Sequence, residues 1–512
     1  MKDSKTPPID LSKIEVPVEA LRLVSPDLMR KFSFVPVKYE NNVLHIATSN
    51  VDDINAIDII KGITCCEISV YSASKEAVWD TLKRSVPEFR NDVNEHELEI
   101  KEIDLPDKTD AEDSPGNKNA IIEAVDKLIK LAVSKRASDI HLEPQIDAFF
   151  LRFRIDGIMS TIHKFQKSVQ VHLTSRIKIL ANMNITERRL PQDGQFSIEK
   201  EGRFIDFRVS TLPGKYGEKI VIRVLDKIGI ELDLGHLGFP PVEQSTLETL
   251  IMKPQGMVLV TGPTGSGKTT TLYSILNKIR SPVKNVITLE DPVEYELLAD
   301  KKDETGITQV QVNSKIGMDF TSALRAALRQ DPDVIMVGEI RDKETAEIAM
   351  KASLTGHLVL STLHTNDTFG TLLRLKDMGI EPYLITSTVT CILAQRLVRM
   401  LCPDCKQAYK LPSRVIKLLF PDETVELPAE LTLFRPKGCD VCRNTGYRGR
   451  MGIYELLVMD DEVRLFMNTH LDHKSAGEFR KLRKNLSLRG SGLELVKKGF
   501  TTAEEVFRVT VE

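Results

Sequence analysis

The residues Gly262-Pro263-Thr264-Gly265-Ser266-Gly267-Lys268-Thr269-Thr270 have the form G-x-x-x-x-G-K-T. Glycine at 262, 265 and 267 permits backbone angles that side-chain-bearing residues resist, so successive N–H groups can turn inward around phosphate oxygens. A helix that starts near Lys268 adds its partial positive end, Lys268 reaches the β- and γ-phosphates, and the Thr269 hydroxyl is placed for Mg²⁺. A plain glycine-rich turn needs no particular flanks. Here the apolar run Met257–Thr261 predicts a buried strand before the loop, and Thr269–Arg280 predicts a helix after it.

Hydrolysis at such a loop needs carboxylates to orient water and hold metal-bound waters. Glu290-Asp291-Pro292-Val293-Glu294 supplies three at the end of the next apolar run. Val334-Ile-Met-Val337-Gly338-Glu339 is an apolar strand ending in an acid, and its order after the loop fits Glu339 beside Mg²⁺. His364, in Ser361-Thr-Leu-His364-Thr-Asn366, is placed either to sense a γ-phosphate or to serve structure alone, whereas His357 inside its strand reads as packing. Cys402-Pro-Asp-Cys405 and Cys439-Asp-Val-Cys442 each offer two corners of a tetrahedron, and four thiolates suit a closed, structural Zn²⁺ site. Cys391 and the adjacent Cys65-Cys66 read as packing.

These residues must be carried by several domains, because 512 residues make roughly three or four. Apolar residues at 41% and charged residues at 28% fit a soluble globular chain. With 70 basic and 73 acidic residues the net charge is −3, so no global field draws it to nucleic acid. The N-terminus has no apolar core of a signal peptide, and no run of about 18 apolar residues predicts a membrane span. Seven cysteines in this length make no disulfide framework, which points to the cytosol.

In order, residues 1–90 read as a small α/β domain. It has helices at 26–31 and 52–60, and strands at 34–37, 43–47 and 67–70. Residues 91–117 are an acidic, Pro-bearing linker. Residues 118–230 form an α/β domain with a helix at 120–133, strands at 138–142 and 149–155, a helix at 169–181 and strands at 205–210 and 219–224. Arg152, Arg154, Arg188, Arg189, Arg208 and Arg223 concentrate there. Such arginines either face solvent or serve a phosphate across an interface. Residues 240–400 alternate strand and helix, hence a mostly parallel sheet whose strand ends hold ligands. Residues 401–455 carry the cysteines, and 456–512 are helical, with Thr501-Thr-Ala-Glu504 as the expected cap of the last helix.

Taken together, KRASDIHLEP (135–144), LRFRIDG (151–157), RRLPQDGQF (188–196), LEDPVEY (289–295), LRQDPDVIMVGEIRD (328–342), TGHLVLSTLHTND (355–367), AQRLVR (394–399) and the cysteine pairs give the chain its likeness. It resembles the ATPases of type II secretion and type IV pilus assembly over nearly its whole length. That resemblance implies a RecA-like P-loop ATPase domain, a preceding PAS-like α/β domain and a homohexamer using ATP, Mg²⁺ and structural Zn²⁺. It implies Glu294 as the water-activating base with Glu290 as the alternative, and Glu339 on the metal side. His364 is then the histidine-box residue, and Arg152 and Arg154 are arginine fingers ahead of Arg188 and Arg189. The partners implied are an inner-membrane platform protein and a recruiting protein, the latter met by residues 1–90. Membrane contact is then only through partners, on the cytoplasmic face of the inner membrane, with no direct nucleic acid. The N-terminal domain and the four cysteines match the filament-extending type rather than the retracting one.

Two departures matter. Residues 298–307 lengthen one loop, so contacts there do not carry over. The N-terminal domain also lacks the R-L-G stretch that relatives use for cyclic di-GMP, which argues against that messenger here. The rival readings are a DNA-translocating or DNA-uptake ATPase, a nucleotide-binding scaffold and, more distantly, a small-molecule kinase. The charge balance opposes the first, the intact acids the second, and the missing acceptor pocket the third.

Overall fold

The structure is a computed structural model. It describes residues 115–200, 203–225, 233–294, 307–313, 316–412, 430–470 and 487–510, together with 297, 472, 475, 477–479 and shorter stretches between 7 and 85. The expected helices at 26–31 and 52–60 lie partly outside these residues, as do Cys65, residues 91–114 of the linker and 298–306 of the lengthened loop. The chain divides into two compact units, residues 1–224 with 411–431, and residues 225–410 with 432–512. Among the described residues no helix is long and apolar enough to cross a membrane.

The first unit begins with β1 (Phe34–Glu40), β2 (Val43–Thr48) and β3 (Glu67–Ser72) in that spatial order. Asn41 and Asn42 both take positive φ, which lets a two-residue turn join antiparallel β1 and β2. Helix Lys75–Ser85 closes a core around Leu44, Ile46, Val78 and Leu82.

Next come helix Pro115–Ser134, β4 (Ala137–Pro144), β5 (Ala148–Ile155), β6 (Ile158–Gln166), helix Gln170–Leu180, β7 (Gln192–Lys200), β8 (Arg203–Gly214) and β9 (Gly217–Leu225). The helix therefore starts within the stretch expected as linker, which contributes its first turn. The six strands run in the order β6-β5-β4-β9-β8-β7. Val125, Leu128, Leu173 and Ile177 from the two helices pack on Ile140, Leu151, Phe153 and Ile220 from the sheet. Alternation then turns Asp139, Glu143, Arg152, Arg154, Lys219 and Arg223 to the other face. The periodicity did not show β6 or β7. Gln192-Asp-Gly-Gln195 is polar and has no apolar alternation, yet it pairs residue by residue with β8.

The second unit is built on β10 (Gly256–Thr261), β11 (Val286–Glu290), β12 (Thr308–Gln311), β13 (Val334–Val337), β14 (Leu358–Leu363), β15 (Val389–Leu401) and β18 (Tyr447–Val458), while β16 (Gln407–Pro412) and β17 (Glu430–Arg435) form a separate two-stranded sheet. The main sheet has the order β12-β11-β13-β14-β10-β15-β18, parallel except where β18 runs against β15. Strands β10, β13 and β14 are buried along their whole length, so β10 and β13 read as apolar runs rather than alternating ones, and β14 does so up to Ser361-Thr362. One core lies on each face of this sheet, centred on Leu259, Val337 and Leu375 on one side and on Val260, Leu276 and Leu360 on the other.

Two boundaries differ from expectation. Strands β15 and β18 pair across the cysteine-bearing stretch, so that stretch is an excursion between neighbouring strands. The last helix, Ala503–Val509, is capped by Thr502, whose hydroxyl accepts from Glu505 N. The capping pattern is thus one residue later than Thr501–Glu504, because Thr501 instead donates to the Arg399 carbonyl at 2.7 Å.

Candidate nucleotide site and metal centre

Strand β10 leads straight into the glycine-rich loop, and helix Lys268–Ile279 leaves it with Gly267 in the left-handed region as its N-cap. A Cβ on Gly262 would lie 2.5 Å from the Gln395 carbonyl oxygen, and one on Gly267 would lie 2.8 Å from Gln395 Nε2. The backbone of the strand beneath therefore excludes a side chain at 262 quite apart from backbone angle, whereas at 267 the Gln395 amide would have to move aside. Lys268 Nζ donates to the Gly262 carbonyl at 2.8 Å and the Pro263 carbonyl at 3.2 Å, so the ammonium curls over its own loop. Burial pulls the Lys268 pKa down to about 8, with Glu339 opposing the shift and Arg396 adding to it. The Ser266 hydroxyl is buried without a hydrogen-bond partner. A loop with an unused hydroxyl and a desolvated ammonium is a donor set that fits phosphate oxygens.

The parallel order puts neighbouring strand ends side by side, with Leu289 beside Val337, Val337 beside Ser361, and Thr261 beside Leu363. That register aligns Glu290, Glu339, His364 and the loop along the carboxyl edge of the sheet. His364 Nδ1 is 3.5 Å from Lys268 Nζ, and its Nε2 is 3.3 Å from Glu339 Oε2. Arg341 donates to the other Glu339 oxygen. Lysine, histidine and acid thus form one chain of contacts although they come from three separate stretches of sequence.

The two candidate bases part company. Glu290 is buried and fully engaged: Tyr273 donates to Oε2, while Thr288 Oγ1 at 2.6 Å and Gln309 Nε2 at 3.2 Å donate to Oε1. Glu294 is half-buried in the segment after the strand. Glu290→Gln is therefore expected to lower unfolding free energy by about 1–3 kcal/mol, since a donor would replace an acceptor among donors. Glu294→Gln should cost less, because its side chain is only half-buried. Denaturant melts of the two variants check this, and equal costs would contradict it.

Sequence reading passed over Gln395 and Arg396, in the middle of β15. Gln395 Oε1 accepts from Thr271 Oγ1 at 2.8 Å. Arg396 donates to the Gln395 carbonyl at 3.0 Å, and to the Asn366 carbonyl and Oδ1 at 2.7 and 3.2 Å. The available signal was a polar pair between the apolar Cys391–Ala394 and Leu397-Val398, within the AQRLVR stretch.

In the first unit the arginines are held by acids of their own sheet. Arg152 Nη1 is 3.0 Å and Lys219 Nζ 2.8 Å from Glu143, while Arg223 Nε is 3.3 Å and Arg154 Nε 3.8 Å from Asp139. Burial works to raise Glu143, but the hydrogen bonds from Lys219 and Arg152 prevail and hold it below the usual range. Arg189 pairs with Glu187 at 3.2 Å, and Arg188 is exposed.

The four cysteines converge. Their sulfurs all lie within 4.8 Å of one another, with Cys402–Cys439 at 3.9 Å and Cys405–Cys442 and Cys439–Cys442 at 3.7 Å. Four thiolates about 2.3 Å from a tetrahedral zinc stand about 3.8 Å apart, so the cluster has the spacing the metal needs. Backbone N–H groups of Cys439 and Gly446 both point at Cys442 Sγ at 3.2 Å, as donors to a thiolate would.

Residues 115–508 match the family described as type II/IV secretion system protein, and residues 4–89 match the MshEN domain. The chain belongs to the type II/IV secretion system protein family. It is 47% identical to type II secretion system protein E of Dickeya dadantii over 84% of this chain and 83% of that protein. It is 41% identical to the type IV pilus assembly ATPase PilB of Myxococcus xanthus over 99% of this chain and 89% of that one. Among solved structures it is similar to the pilus retraction motor PilT with bound ADP, at 26% identity and a TM-score of 0.50, covering 75% of this chain and 96% of PilT. Membership in this ATPase family accords with the parallel sheet, the loop at its carboxyl edge and the N-terminal α/β domain, as the sequence resemblance implied.

Proposed function

We propose that this chain is a Mg²⁺-dependent ATPase whose homohexameric ring powers assembly of pilin or pseudopilin filaments, for type II secretion or pilus extension. The observation that carries the chemistry is the contact chain Lys268–His364–Glu339 at the edge of the sheet. In this reading the loop N–H groups and Lys268 hold the β- and γ-phosphates, while Thr269 and Glu339 are the residues for Mg²⁺. The metal offsets charge on the phosphoryl oxygens when bound. Glu294 takes a proton from the attacking water as its oxygen bonds to the γ-phosphorus and the bond to the β–γ bridging oxygen breaks. His364, beside both Lys268 and Glu339, contacts the γ-phosphate. Arg152 and Arg154 serve a neighbouring subunit's nucleotide. The cysteine cluster holds a structural zinc.

The relatives' names support the mechanical part, because they are proteins of type II secretion and pilus assembly. On that likeness the ring sits on the cytoplasmic face of the inner membrane, held through residues 1–90 by a recruiting protein and acting on a platform protein. The deciding measurement is ATP turnover of the assembled full-length chain, with and without DNA. We expect Mg²⁺-dependent turnover that DNA does not stimulate and that Glu339→Ala abolishes. Turnover retained in Glu339→Ala would overturn the site, and DNA stimulation would favour a translocating motor.

A further inference from the structure

The guanidinium of Arg396 stands between two elements that nucleotide chemistry needs in register. Its Nη1 caps the Gln395 carbonyl, the same oxygen that Gly262 approaches so closely that a Cβ would be 2.5 Å away. Its Nη2 holds the main-chain and side-chain oxygens of Asn366, two residues after His364. Arg396 is only 9% exposed. Glu455 accepts from Thr368 N and Thr368 Oγ1, at 3.3 and 2.5 Å, at the start of the helix that follows the histidine loop. We propose that Arg396 is a positioning residue for hydrolysis, locking the loop that carries His364 to the floor of the phosphate loop. A planar fork can join two carbonyls that face different ways; a lysine ammonium cannot hold both in one plane. Arg396 touches no reacting atom, so its effect falls on the alignment of His364 and Glu339 and not on phosphate capture by the loop.

This inference rests on the proposed reading of His364. Displacing a catalytic group by about 1 Å costs on the order of 10²-fold in rate. In the assembled full-length chain, Arg396→Lys and Arg396→Gln are therefore expected to lower kcat by about 10–100-fold while ADP affinity stays within about threefold. A purely structural role would instead weaken ADP binding together with kcat. Asn366→Ala, which removes the one side-chain acceptor, gives a second handle if the buried arginine variants do not fold. It should lower kcat less than Arg396→Gln does, and combining the two should lose less than the product of the single losses. Unchanged kcat in the folded variants, or fully additive losses, would overturn the role of Arg396. Absent turnover in the unsubstituted chain would instead remove the reading beneath it.

Discussion

Lys268→Ala is expected to lower ATP turnover by at least about 10³-fold, and the pH dependence of nucleotide binding identifies the reason. A single preorganised charged donor on a transferring phosphoryl group is worth about 10²–10³ in rate, and clamps of this kind reach about 10³–10⁵. Lys268 belongs at the upper end because its ammonium is desolvated before any phosphate arrives. It donates to the Gly262 and Pro263 carbonyls of its own loop and stands 3.5 Å from His364 Nδ1. Burial, which disfavours the charged form, pulls its pKa down to about 8. The ligand-free lysine is thus protonated below pH 8 and largely neutral above it, whereas phosphate oxygens favour the ammonium. Binding above pH 8 must take up a proton, so the Kd for ADP should be flat below pH 8 and rise about tenfold per pH unit above it. Lys268→Ala should bind weakly at every pH and show no break. Calorimetric titration across pH 7 to 9.5 reads both. A break that persisted in Lys268→Ala would assign it to another group.

Much of this site was legible because its chemistry is local. Glycine spacing, the lysine and the acid after an apolar run each occupy a few consecutive residues, and a parallel strand buried on both faces writes itself as an apolar run. Contacts between distant segments were not legible. Nothing adjacent to Glu290 in sequence says that Tyr273 and Gln309 close over its carboxylate, so the two acids of one short motif look alike until they are folded. The β15–β18 pairing joins residues on either side of the cysteine excursion, and no local period reports an antiparallel partner so far along the chain. Gln395 and Arg396 were hidden for the opposite reason. They lie in a strand whose apolar neighbours declare burial, and a polar pair there reveals its purpose only through the loops it meets. The arginines of β5 were visible as a cluster, but Asp139 and Glu143, which hold them extended, became their partners only through strand register.

Cys442→Ser is expected to abolish zinc binding and to lower the melting temperature of the whole second unit, because the cluster closes the main sheet at one end. Cys402 directly follows the last residue of β15, and Tyr447 starts β18 four residues after the Cys442-Arg443 corner. The Cys402 N–H donates to the Gly446 carbonyl at 2.9 Å, and Leu401 N donates to the Phe500 carbonyl at 2.8 Å. Arg399, two residues before Leu401, stacks on the Tyr447 ring at 4.1 Å and pairs with Glu505 at 2.7 Å. Burial opposes the Glu505 charge, but hydrogen bonds from Arg508 and Arg399 hold its carboxyl down at about 2. One network therefore joins the cysteines, both sheet strands and the last helix. Structural zinc in small peptides is worth about 10–16 kcal/mol of apparent binding energy, coupled to folding. Here much of the fold exists without it, so the loss should appear as a lower melting temperature rather than an unfolded chain. Metal analysis should find one zinc per chain in the unsubstituted protein and none in Cys442→Ser, and chelation should reproduce the shift in melting. Cys391→Ser, which changes a thiol buried elsewhere in β15 with no sulfur neighbour in the cluster, should keep its zinc. A full zinc complement in Cys442→Ser, or a melting temperature indifferent to chelation, would show that the four sulfurs do not act together as a metal site.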